Sequence, residues 1–222
     1  MKIKEVSIDQ IFDKNIKETF TLSDKLNVFY GVNGIGKSSL LEIIFEIIAY
    51  PLTFRFKFNE CKIVTDKGTV QQELSGIKTI NYNNFKYDNS VFRYDHVENI
   101  WINKKDRDKQ YVGVENLSFS KYRNISNLFY SMTSKYCYTQ DYTPVILSEG
   151  EQKLLSFLLL TEWEEPLVVF IDNIEQSLHI DWQRQIMDYL VKTPHQIIAT
   201  THSPIIVDKA KDYQVFELKE FD

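Results

Sequence analysis

The sequence predicts an α/β fold built on parallel strands, with a ligand site at their carboxyl ends. Three observations predict it. Gly31-Val32-Asn33-Gly34-Ile35-Gly36-Lys37-Ser38 fits the phosphate-loop pattern G-x-x-x-x-G-K-[ST]. Leu167–Ile171 and most of Gln196–Thr200 are apolar runs, as in strands buried on both faces of a parallel sheet. Apolar helical segments follow or separate these strands, the alternation that builds such sheets.

In chain order, residues 2–8 alternate, with Ile3, Val6 and Ile8 against Lys2, Lys4, Glu5 and Ser7, and predict a strand. Residues 16–22 predict a second strand, and Leu26–Tyr30 the buried strand that feeds the phosphate loop. Residues 38–49 predict a helix, apolar nearly all round and so deeply packed, that ends before Pro51. Glycines let the loop wrap close to a ligand. Its N–H groups and the helix N-terminus then face an anion. Lys37 is placed to reach β- and γ-phosphates, and the Ser38 hydroxyl to hold Mg²⁺.

The middle is less regular. Residues 53–58 and 62–65 look strand-like, Asp66-Lys67-Gly68 is a turn signal, and 69–72 the returning strand. Residues 77–82 suggest another. From 83 to 143 the composition shifts to Tyr, Phe, Asn and Ser, with no repeat and no sustained heptads. Residues 101–111 are basic and flanked by aromatics, but Asp106 and Asp108 dilute the charge. We read a solvated loop or helix face there. A nucleic-acid contact is the alternative.

Order returns at 144. Leu147-Ser148-Glu149-Gly150-Glu151-Gln152 precedes an apolar helix, 153–163, which Pro166 breaks. Ser148 and Glu151 have the spacing of a capping box. Ser148 and the Gly150 backbone at a helix N-terminus also suit a γ-phosphate. The strand 167–172 ends in Asp172, where a carboxylate can hold a Mg²⁺ hydration shell beside Ser38; the simpler alternative is a turn cap. Residues 181–191 predict an amphipathic helix. The strand 196–200 closes on Thr201-His202-Ser203-Pro204, where His202 either donates to a γ-phosphate or is structural. Residues 213–218 predict a last strand.

The bulk composition is that of an ordinary globular protein: 222 residues, 43% hydrophobic, 26% charged. A net charge of −5 argues against a protein dominated by nucleic-acid binding. Cys61 and Cys137 form no C-x-x-C, so no zinc or redox motif is legible. The amino-terminal residues have no apolar signal core, and no apolar run approaches the ~20 residues that span a bilayer. We expect a cytoplasmic protein with no direct membrane insertion.

The order phosphate loop, LSEGEQ, Asp-ended strand and THSP resembles the ABC-type ATPase superfamily, whose signature is LSGGQ-like. Phe170–His179 (FIDNIEQSLH), Ile198–Pro204 (IATTHSP) and residues 1–43 look like its SMC/RecF/OLD-like branch of AAA-family ATP-binding proteins. The resemblance covers about residues 1–50 and 144–218. It implies one ATPase head over 1–222, a mixed sheet flanked by helices, with 51–143 as an irregular, aromatic-rich insertion. It implies ATP and Mg²⁺ as cofactors. Asn33, Gly34, Ile35, Gly36, Lys37, Ser38 and Ser39 would bind phosphates, and Ser38 and Asp172 would hold the metal. Two heads would sandwich two nucleotides, with Ser148 and Gly150 touching the partner's γ-phosphate and His202 sensing it. The implied partners are a second head, most simply a homodimer, a separate effector such as a nuclease or toxin, and nucleic acid. DNA repair or antiviral defence is the implied setting.

The sequence departs from the family at a catalytic position. Glu usually follows the strand-end Asp and orients the attacking water; here it is Asn173. An amide can position a water but cannot take its proton. Glu175 could substitute, although the family pattern gives that position to the loop facing the partner. Gln71 and Gln72 are candidates for the glutamine that usually couples γ-phosphate to the insertion. Asn173 therefore leaves open a slow ATPase or a non-hydrolysing ATP sensor or scaffold. An ABC transporter motor is a further alternative, and a small-molecule kinase a distant one.

Overall fold

The computed structural model describes residues 1–11, 14–49, 58–73, 76–81, 92–95, 100–103, 119–137, 147–162 and 166–219. Two sheets form. β1 (Ile3–Ile11) pairs antiparallel with β2 (Lys14–Thr21) on one side and β4 (Glu60–Thr65) on the other. β5 (Gly68–Glu73) and β6 (Gly76–Asn81) extend this sheet in the order β2-β1-β4-β5-β6. The second sheet has the order β11-β3-β10-β9-β8-β7. Its strands are β3 (Leu26–Tyr30), β7 (Phe92–Asp95), β8 (Ile100–Asn103), β9 (Val168–Ile171), β10 (Gln196–Thr201) and β11 (Gln214–Glu217). β11, β3, β10 and β9 run parallel, and β8 and β7 close the edge antiparallel.

Helix α1 (Lys37–Ala49) packs between the sheets, touching β10 on one side and β1 and β5 on the other. Leu40, Leu41, Ile43, Ile44, Phe45, Ile47 and Ile48 are all buried, because both flanks of this helix need apolar cover. The far face of the parallel sheet is covered by α2 (Phe119–Thr133), α3 (Glu149–Thr161), α4 (Ile180–Leu190) and the short α5 (Pro204–Lys209). The β9 run shows the two-sided burial. Val168 and Phe170 face the α1 side, and Val169 and Ile171 the α3–α4 side. Each buried side chain of this kind contributes roughly 1.5–3 kcal/mol.

The parallel register sets the site. Ala199 pairs with Val28 and with Ile171, and Thr201 with Tyr30. The carboxyl ends of β3, β9 and β10 therefore finish side by side, where open α/β sheets bind ligands.

The structure adjusts several boundaries. The apolar helix expected over 153–163 begins at Glu149 and ends at Thr161, with Ser148 and Glu151 forming the capping box that their spacing predicts. Within 51–143, the described residues form five strands and a helix. β4 and β5 are integral to the first sheet, β7 and β8 join the second, and α2 covers its face. The expected strand at 53–58 lies outside the described residues except for Phe58. Of the basic cluster, Trp101–Asn103 belong to β8, and 104–111 lie outside the described residues. Among the described residues, no helix is long and apolar enough to cross a membrane.

Candidate nucleotide site

All three glycines of the loop between β3 and α1 have positive φ, and at two of them the backbone also passes close to a neighbour. Gly31 has φ +152, and a Cβ there would sit 2.7 Å from the Leu218 carbonyl. Gly36 has φ +105 and packs against Ile11. Val32, Asn33 and Gly34 are exposed, Val32 by 71%. Ile35 is buried and anchors the loop to the core. Ser38 and Ser39 follow in the first turn of α1.

Lys37 opens α1 and folds back over the loop. Its Nζ donates to the carbonyls of Gly31 at 3.0 Å and Val32 at 2.9 Å. Burial lowers its pKa, while the charges of Asp172 and Glu175 push it up again. The ammonium is thus held among carbonyls that a phosphate could replace.

Ser38 Oγ donates to Asp172 Oδ1 at 2.9 Å, joining residues 134 positions apart. The same Oδ1 accepts from Thr200 Oγ1 at 2.5 Å. Asp172 Oδ2 faces the Asn173 amide nitrogen at 3.4 Å. Hydroxyl and carboxylate oxygens held this way suit a hard cation that keeps most of its waters. Among the described residues, no group of three His, Cys, Asp or Glu side chains could hold a metal. A hydrated Mg²⁺ between Ser38 and Asp172 therefore fits, and a metal needing a full protein cage does not.

The segment after β9 is laced to the end of β10. The Asn173 N–H donates to Thr200 Oγ1 at 2.8 Å, and the Ile174 N–H to the Thr200 carbonyl at 3.0 Å. Glu175 accepts from Thr201 Oγ1 at 2.6 Å and from the His202 N–H at 2.7 Å. His202 itself is exposed. Asn173 has φ +47, a left-handed conformation that Asn tolerates better than most residues. Its Oδ1 is buried without a hydrogen-bond partner among the described residues. The neighbouring carboxylate fixes the amide orientation, since only the NH₂ end can face it. The Asn173 carbonyl accepts from the buried Lys153 Nζ at 2.8 Å.

Ser148 is the N-cap of α3, and Gly150 lies in its first turn. Among the described residues, neither makes a hydrogen bond to the phosphate loop. Ser148 caps α3 in a full capping box with Glu151. A Lys135 ion pair at 2.6 Å, ahead of the bonds from Ser148, holds the Glu151 carboxyl below its usual range. Gly150 is buried, and a Cβ there would meet the Ser177 carbonyl at 2.1 Å. Its glycine therefore has a packing reason within the subunit. Gln71 donates to Glu60 on the neighbouring strand at 2.5 Å; the Gln72 side chain lies outside the described residues.

Three residues of the site escaped the sequence reading: Thr200, Thr201 and Lys153. Each carried a signal. Two wholly buried threonines end an apolar strand, and one lysine interrupts an otherwise apolar helix face.

A phosphate loop, a strand-end Asp joined to its Ser and a parallel sheet define a P-loop nucleotide-binding protein of the AAA type. The chain belongs to the family described as "AAA domain, putative AbiEii toxin, Type IV TA system", whose profile matches residues 70–208. Its fold is similar to an SMC head domain from Thermotoga maritima at 14% identity and TM-score 0.59, covering 98% of this chain and 94% of that one. An SMC head bound to the C-winged helix domain of ScpA matches at 11% identity and TM-score 0.59, over 100% and 96% of the two chains. A bacterial Atm1-family ABC exporter with ATP bound matches at 15% identity and TM-score 0.54, over 99% of this chain and 38% of the exporter. No curated protein matches the sequence.

Proposed function

We propose that the chain is an ATP-binding head that dimerises around MgATP and hydrolyses it slowly. The observation that carries this is the Ser38–Asp172 hydrogen bond beneath the phosphate loop. Asn33 to Ser39 would cradle the phosphates, with Lys37 leaving the Gly31 and Val32 carbonyls for the β- and γ-phosphates. Ser38 and Asp172 would hold Mg²⁺, which supplies charge neutralisation on those phosphates. His202, at the end of β10, would donate to the γ-phosphate.

The exposed Val32-Asn33-Gly34 and the exposed Ser148 favour a second copy as the partner. In that arrangement Ser148 and the Gly150 backbone reach the γ-phosphate of the other subunit. ATP then adds contacts that only the closed pair makes, and shifts the equilibrium toward it. The whole chain, 1–222, would act as one head. The family description favours a toxin–antitoxin context; a separate effector, a nucleic-acid partner and a role in defence or DNA repair rest on the sequence resemblance alone.

Slow turnover follows from Asn173. Its buried Oδ1 can accept from a water and aim it, but takes no proton. The same residue favours a second reading, a sensor that binds ATP without turnover. Phosphate release from MgATP by the purified chain and by Lys37→Ala tests both. Slow release that Lys37→Ala abolishes supports the ATPase head. Tight ATP binding with no release supports the sensor. No nucleotide binding at all overturns the proposal.

A further inference from the structure

The loop after β9 brings one carboxylate of unassigned role onto the end of β10. Glu175 accepts from Thr201 Oγ1 through Oε2 at 2.6 Å and from the His202 backbone N–H through Oε1 at 2.7 Å. Thr201 Oγ1 in turn accepts from the Ser203 N–H at 3.0 Å. Ser203 Oγ donates to Gln183 of α4 at 2.7 Å. One carboxylate oxygen thus holds the backbone N–H of His202 and the other the side-chain hydroxyl of the residue before it. Thr201 is wholly buried and His202 is exposed, so the clamp lies where the strand emerges from the core.

We propose that Glu175 is a positioning residue for γ-phosphate recognition, fixing His202 through Thr201 and the His202 N–H. The inference rests on the proposed role of His202. A carboxylate accepting two charge-assisted hydrogen bonds holds a loop more firmly than neutral groups would. Each of the Glu175 oxygens already holds one donor at the end of β10, which fixes the carboxylate against that strand.

Glu175→Gln separates these roles. Gln offers an acceptor to the His202 N–H and an amide that the Thr201 oxygen can accept. It keeps both legs of the clamp as weaker, neutral hydrogen bonds and removes the base. Glu175→Ala removes both. The test is titration calorimetry with MgATP and MgADP, together with phosphate release, on the full chain. His202→Ala should reduce the preference for ATP over ADP about tenfold, the loss of one hydrogen bond to a charged group. Glu175→Ala should reduce it similarly with ADP affinity held within about twofold, and Glu175→Ala/His202→Ala should be no worse than either, since the two act as a unit. Glu175→Gln should keep the preference and the turnover. Thr201→Val, which cuts one leg of the clamp, should give a partial loss if Glu175→Ala fails to fold. The proposal is overturned if Glu175→Gln abolishes phosphate release with binding intact, since Glu175 is then the base. It also falls if Glu175→Ala or Thr201→Val leaves the preference unchanged while His202→Ala removes it; the head reading then still stands. If His202→Ala changes nothing, the His202 role and the clamp fall together.

Discussion

Ser38 Oγ lies 2.9 Å from Asp172 Oδ1, so the first turn of α1 is hydrogen-bonded to the end of β9. Two segments far apart in sequence meet because β10 lies between β3 and β9 and brings their carboxyl ends into line. If this pair holds Mg²⁺, Ser38→Ala and Asp172→Asn should each remove the Mg²⁺ dependence of ATP affinity. Calorimetry with and without EDTA reads this directly, and an undiminished Mg²⁺ effect in both variants would rule the pair out.

Asn173 sits in a left-handed conformation that penalises most other side chains. At φ +47, Asn is tolerated, whereas Glu pays on the order of 1 kcal/mol or more. Asn173→Glu should therefore lower stability by about that amount while raising phosphate release by on the order of a hundredfold, the usual range for a positioned base. Chemical denaturation and a phosphate assay on the same sample measure the two effects. Unchanged release would mean that something other than the missing base limits turnover.

Gly150 packs its Cα against the Ser177 carbonyl, where a Cβ would stand at 2.1 Å. Ser177 has φ +61 and bonds Glu149 through its hydroxyl at 2.7 Å, so the facing loop has little room to retreat. Gly150→Ala should destabilise the nucleotide-free chain by about 2 kcal/mol. Urea unfolding without nucleotide isolates this from any role across a dimer. A neutral result would mean that the loop yields.

His195 is buried between three elements. Its Nδ1 accepts from the Leu167 N–H at 3.3 Å, which puts the proton on Nε2, 3.0 Å from the Leu160 carbonyl. Burial, partly offset by the Leu160 carbonyl, holds its pKa below the ordinary 6.5; Lys2 and Lys25 add to the lowering. The unfolded chain takes up a proton near pH 6.5 and the folded chain only lower. Its contribution is full above pH 6.5 and is lost as pH falls from there through the folded value. Denaturant midpoints at pH 7.5 and 5.5 should show a drop that His195→Gln makes smaller.

Much of the site was readable because its chemistry is local. The phosphate loop, the capping box of Ser148 and Glu151, and the strand ending in Asp172 each lie within a few consecutive residues. The contacts of Thr200 with Asp172 and of Lys153 with Asn173 were not readable, since they depend on strand order and on which helix covers which face. Helix α2 was missed although Ile125, Leu128, Phe129 and Met132 recur at helical spacing. Its polar and aromatic composition masked that period. The sequence also gave no sign that β4 and β5 complete the sheet begun by β1, because antiparallel partners need not be neighbours in the chain.

The central claim is that MgATP draws two heads together, and light scattering of the purified chain tests it most directly. Mass should double on adding MgATP, and stay monomeric with MgADP, with Lys37→Ala, or with Ser148→Arg, which blocks the signature face and leaves the phosphate loop intact. A chain that binds MgATP yet keeps the same mass would contradict the account.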